Sequence, residues 1–145
     1  MLVVVAFAGR VAATGSDGAV PRTGSRHSAR NEWIAKHTGG DWPVPTVDIW
    51  HDRAVFHFLT GPAGRERYIA RLRQAVKPRG AVIIATFAPD GPEKCSGLPV
   101  VRYSPDALEA TLGASFRLQE AVRESHATPF GTTQEFWYSR FVRQG

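Results

Sequence analysis

Three ionisable residues in a row, His51-Asp52-Arg53, follow the β-prone run at residues 47–50. An imidazole, a carboxylate and a guanidinium offer a base, an acceptor and a fixed cation, a set that can orient a polar ligand or move a proton. The same residues also suit a plainer part, in which Asp52 and Arg53 pair with each other or cap the next helix. A second group is Glu93-Lys94-Cys95-Ser96-Gly97. Lys94 would draw an anion. Cys95 makes a poor nucleophile, because no base is fixed beside it by sequence. His126 and Phe130 form a third group, within residues 125–133, a stretch of turn formers. No Cys-x-x-Cys pair or paired-histidine spacing points to a metal.

These groups need elements to hold them. Residues 65–76 place Tyr68, Ile69, Leu72, Ala75 and Val76 on one face and arginines mostly on the other, the period of an amphipathic helix. Thr60-Gly61-Pro62 opens that helix and Lys77-Pro78-Arg79-Gly80 stops it. Residues 81–87 are a continuous β-branched run, expected of a strand buried on both faces of a parallel sheet. A loop at residues 88–98 follows. Ser104-Pro105-Asp106 opens a second helix that closes at Gly113. Residues 116–124 and 134–142 predict two antiparallel strands, with Trp137, Tyr138 and Phe141 as packing residues. Trp33-Ile34-Ala35 suits a short strand, and His57, between two phenylalanines, suits the core.

The expected fold class is therefore α/β, with parallel strands ending in an antiparallel carboxy-terminal hairpin. Ligands in such sheets gather at the carboxyl ends of the parallel strands, here the loop at residues 51–53 and the loop at 88–98. Residues 1–31 stand apart. Residues 2–8 are an apolar run without a basic leader and read as a strand rather than a signal peptide, while 10–32 lack apolar periodicity. The expected division is a poorly defined segment at 1–31 and a partial domain at 32–145.

Charge and composition narrow the partners. The formal charge is +5, yet the arginines are scattered, with no dense basic run and no aromatic-basic platform, so no nucleic acid is expected. No apolar run approaches a membrane span, so no membrane partner is expected. A single cysteine excludes an internal disulfide framework and suits a reducing, cytoplasmic setting.

The passage Val47-Asp48-Ile49-Trp50-His51-Asp52-Arg53-Ala54-Val55-Phe56-His57-Phe58-Leu59 resembles the fourth strand and following loop of class I S-adenosylmethionine-dependent methyltransferases. Its Trp50-His51-Asp52-Arg53 is similar to a Trp-Asp-Arg loop of the thiopurine branch, with the tellurite-resistance type as a neighbour. Val76-Lys77-Pro78-Arg79-Gly80-Ala81-Val82-Ile83-Ile84 is similar to the family's passage into its fifth strand. The resemblance covers residues 32–143. It implies a partial Rossmann-like methyltransferase sheet and S-adenosylmethionine as cofactor. It implies transfer of a methyl group to a small-molecule acceptor. Trp50 and His51 would then border the cofactor. Asp52 and Arg53 would orient the acceptor, and Lys94, Cys95, His126 and Phe130 would line its pocket.

Two departures accompany it. The acidic residue and close glycines that follow the family's first strand are absent, since Gly9, Gly15 and Gly18 have the wrong spacing. Lys36 stands where an acidic residue often meets the adenine, and an ammonium cannot accept the amine's hydrogen bond. An open reading frame truncated or shifted upstream of about residue 32 would account for both. The alternative function is a non-catalytic remnant or partner-binding domain. Without its usual neighbour, the strand at 47–50 would present an edge open to a second copy, unless residues 2–8 fill it.

Overall fold

The computed structural model describes residues 3–7, 10–12 and 46–145. Its strands are β1 (Val3–Phe7), β2 (Arg10–Ala12), β3 (Val47–Arg53), β4 (Val76–Phe87), β5 (Lys94–Cys95), β6 (Leu98–Pro99), β7 (Phe116–Ala127) and β8 (Thr133–Arg143). Helix α1 is Pro62–Ala75, helix α2 is Pro105–Leu112, and a 3-10 turn spans Phe56–Phe58. The expected strand at Trp33 lies outside the described residues, as does Lys36.

Six strands form one sheet in the order β2-β1-β3-β4-β8-β7. β1, β3 and β4 run parallel, and β8 and β7 are antiparallel to what they pair with, so the parallel sheet does end in an antiparallel hairpin. β1 occupies the edge of β3 that the sequence left open, pairing Val3 with Ile49 through Phe7 with Arg53. The chain thus supplies its own neighbour to β3.

β3 is longer than expected. His51, Asp52 and Arg53 are strand residues rather than a loop, because β1 on one side and β4 on the other give them ladder partners. The turn comes at Ala54, whose φ is 58°. β4 also starts early, directly after α1. Val47 pairs with Val76 and Ile49 with Ala81, so Lys77-Pro78-Arg79-Gly80 bulges out of the ladder. Pro78 has no N–H to give that ladder, and Arg79 takes a φ of 66°. The stop signal was real, but it broke a strand instead of forming a separate loop. Gly80 is needed there: a Cβ would sit 2.7 Å from a Val76 methyl and 2.8 Å and 3.0 Å from the Lys77 and Asp48 carbonyl oxygens.

Both helices cover one face of the sheet. Tyr68, Ile69 and Leu72 of α1 and Leu108 and Leu112 of α2 pack on Trp50, Val82, Ile84, Phe116 and Phe141 as the main core. A smaller cluster of Ala54, Ala85, Phe87 and Phe136, with Cys95, Val100 and Tyr138 against it, forms at the carboxyl ends of the parallel strands. α2 opens as expected, with the Ser104 hydroxyl accepting from the Ala107 N–H at 3.2 Å, and ends at Gly113 with φ 78°. No helix among the described residues is long and apolar enough to cross a membrane.

Candidate active site

Side chains alternate between the two faces of a strand, and residues paired across strands share a face. That alternation divides the run at residues 50–53. Trp50 pairs with Val82 and Asp52 with Ile84, so both point under the helices; His51 and Arg53, paired with Ile83 and Ala85, point the other way. Four consecutive residues that looked like one site are two.

Under the helices, Asp52 is 0 % exposed. One oxygen accepts the Val55 N–H at 2.9 Å and the other the Phe56 N–H at 3.1 Å, so the carboxylate caps the 3-10 turn. The Tyr68 hydroxyl donates to Asp52, and the Trp50 indole N–H donates to that hydroxyl at 3.0 Å. Burial pushes the Asp52 carboxyl up to about 6, against the three donors that hold it down. Burial, then the Asp52 charge, raises Tyr68 well above its ordinary range. Trp50 is only 6 % exposed and edge-on to the Tyr68 ring. The geometry of Trp50 and Asp52 is that of a polar network within the core. His57 is likewise buried between Phe58 and Phe87, as expected.

The opposite face holds the remaining chemistry. Arg53 places its guanidinium carbon 5.9 Å from the centre of the Phe136 ring, a cation–π contact. Phe136 is the hub of this face, with ring centres 4.8 Å from Phe87, 6.4 Å from Tyr138 and 6.5 Å from His126. Cys95 packs on the same cluster. Burial, and then the Arg53 charge, lowers the His51 imidazole. Tyr138 is raised by burial, opposed by Arg53 and assisted by Glu124. Arg53 and His126 thus meet the Phe136 ring, and Cys95 packs on the cluster to which that ring belongs.

Several expected placements change. Lys94 and Cys95 belong to a two-strand hairpin rather than a loop, turned by Ser96 and Gly97, both at positive φ. Lys94 faces solvent. His126 lies in β7, paired with Gln134, because the ladder runs on to Ala127. Phe130, at the tip of the β7–β8 turn, is 92 % exposed. Phe136 was missed, and Tyr138 was assigned to packing alone. The signal for both was the alternation of Phe136, Tyr138 and Arg140 with Trp137, Ser139 and Phe141. Among the described residues no cluster of His, Cys, Asp or Glu suits a metal.

A shallow groove of about 700 Å³ lies along Glu109, Gly113, Phe116 and Arg117. It sits at the amino ends of the parallel strands, where Glu109 is occupied by the Leu118 N–H at 2.7 Å. The chemistry therefore points to the smaller face around Phe136, at the ends where such sheets bind ligands.

No known family model and no curated protein matches the chain. Solved structures do. An S-adenosylmethionine-dependent methyltransferase from Methanosarcina mazei superposes with a TM-score of 0.58 at 10% identity, over 75% of this chain and 65% of that one. The N-methyltransferase NodS from Bradyrhizobium japonicum, in complex with S-adenosyl-L-homocysteine, gives 0.56 at 13% identity, over 76% and 52%. The 1,6-didemethyltoxoflavin-N1-methyltransferase from Burkholderia thailandensis gives 0.55 at 18% identity, over 74% and 48%. The fold is that of the class I methyltransferases. The chain spans about half to two thirds of the length of these structures. Within the methyltransferase fold, β3 and β4 present their carboxyl ends side by side, with Arg53 and Phe87 as last residues.

Proposed function

We propose that the chain serves S-adenosylmethionine-dependent methyl transfer to a small-molecule acceptor, and that the face around Phe136 is its acceptor side. The supporting observation is the parallel pairing of β3 with β4, which brings His51, Arg53 and the Phe87–Phe136 cluster to one end of a methyltransferase-type sheet. The cofactor supplies a methyl group already activated on sulfur, so the protein's part is to align the acceptor and exclude water.

The described residues do not by themselves form a cradle for that cofactor. Asp52 and Trp50 are engaged beneath the helices, and the close glycines are absent from the sequence. His51 remains as a residue to border it. Arg53 orients the acceptor, and Asp52 is a positioning residue that holds the turn after β3. Cys95 and His126 line the acceptor face; Lys94 and Phe130, both exposed, take no part in it.

Calorimetry with S-adenosylmethionine tests the reading. Saturable heat together with a thermal shift is expected; neither at millimolar ligand would remove it. That second result would favour the other function, a non-catalytic methyltransferase-like domain, which the engagement of Asp52 and Trp50 in the core also supports.

A further inference from the structure

We propose that residues 89–100 form a flap that shuts the carboxyl end of β4 and is held closed by two arginines, Arg123 and Arg102. What the flap gates rests on the ligand-end reading above; its opening does not. Beneath it the end of the sheet is sealed: Ala85 and Phe87 are 0 % exposed and Phe136 is 5 % exposed. Cys95 and Val100 of the flap pack on that cluster. A ligand reaching the ends of β3 and β4 from this side has to displace them.

The flap is rooted in the sheet and fastened at the surface. At one root the Ala88 N–H donates to the Glu135 carbonyl at 2.9 Å; at the other the Val101 N–H donates to the His57 carbonyl at 2.8 Å. Just beyond, the Tyr103 N–H donates to the Phe87 carbonyl at 3.0 Å. Between these roots the flap has little structure of its own. β5 and β6 are two residues each, and the Val100 N–H extends their ladder by one bond to the Glu93 carbonyl at 3.1 Å. A short hairpin alone is marginal in water. The arginines supply the fastening. Arg123 of β7 reaches Asp90 at 2.6 Å, while its Nε pairs with Glu135 at 3.0 Å and its guanidinium lies 6.0 Å from the centre of the Trp137 ring. Arg102 donates to the Gly91 carbonyl at 3.1 Å and stands 3.6 Å from Glu93. Asp90 and Glu93 are both exposed. Ion pairs in water hold weakly, so the flap is released without unfolding of the sheet. Segments with few buried apolar contacts and exposed hydrogen bonds are the ones that open locally, and closures over ligand sites are drawn from them.

Cys95 is the single cysteine of the chain, so its alkylation by iodoacetamide reports opening of the flap. Native-state hydrogen exchange reads the same event at the Gly91 and Val100 amides, with Ile84 of β4 as the mark of global unfolding. The flap amides should exchange through an opening that denaturant hardly affects, and Ile84 through one that denaturant strongly promotes. Arg123→Gln should raise the alkylation rate about two- to fivefold, and Ile84 exchange much less. Arg123→Lys should recover part of the loss, because an ammonium reaches Asp90 but cannot fork between two carboxylates. The wild type in about 1 M salt, where the screening length is roughly 3 Å, should resemble Arg123→Gln. Arg117→Gln, at the other end of β7, should leave the rate unchanged. Flap amides that exchange together with Ile84, or alkylation indifferent to both Arg123→Gln and salt, would overturn the flap. Titration with S-adenosylhomocysteine separates the two readings. Faster association with Arg123→Gln than with the wild type is expected of a gate, and equal rates would overturn the gating. Binding by neither protein would remove the methyl-transfer role and leave the opening to be judged by exchange and alkylation alone.

Discussion

Asp52 is a carboxylate placed where water cannot reach it, and its proton affinity follows from that. The folded chain holds the Asp52 proton up to about pH 6, whereas the unfolded chain releases it near 3.8. Stability from this group is therefore greatest at acid pH and is lost as pH rises from about 4 to 6, on the order of 3 kcal/mol in all. Asp52→Asn has no proton to lose; its one carbonyl oxygen can still accept the Val55 N–H, while its amide nitrogen replaces the oxygen that accepted from Phe56. Denaturation at pH 4 and pH 7 should show the wild type gaining on the variant upon acidification; parallel curves would contradict the burial. Tyr68→Phe strands the Trp50 indole N–H and removes a donor to Asp52. It should cost about 1–3 kcal/mol by urea titration, and much less when Asp52 is already Asn and Trp50 Phe.

At the scale of elements, the β4 bulge is the feature most open to attack. Gly80→Ala sets a Cβ against two backbone oxygens that cannot swing away. Overpacking of this kind should destabilise the chain by about 1–3 kcal/mol, read from the denaturation midpoint. Ser104→Ala removes the α2 cap and should cost about 1 kcal/mol. Both helices were legible in the sequence, because their stripes, the capping Ser104 and the closing Gly113 are local signals. The buried run of β4 and the final hairpin were legible for the same reason. The end of β3 was not. His51, Asp52 and Arg53 stay extended only because β1 and β4 flank them, and those partners are distant in sequence. That boundary concealed the split of Asp52 from Arg53, since alternation operates only where the strand continues. Phe136 was hidden differently: nothing local shows that one aromatic of β8 will meet Arg53, Phe87 and His126.

For the whole molecule, the question is how the sheet ends. β7, its outer strand, carries Arg117, Glu120, Arg123 and Glu124 exposed, charges that discourage edge pairing. β3 is shielded by β1 instead. Deleting residues 1–12 would uncover β3, and light scattering should then show dimers or larger species, the association through an exposed edge that the sequence suggested. A truncated chain that stays monomeric would contradict the role of β1. The methyl-transfer account itself stands or falls on ligand at the carboxyl ends of β3 and β4. Backbone amide shifts on titration with S-adenosylmethionine address it most directly. The account predicts saturable shifts concentrated at His51, Arg53, Ala54 and residues 86–88, and an unchanged groove at Glu109 and Arg117. Silence at those strand ends with millimolar cofactor, or shifts confined to the far end of the sheet, would contradict it.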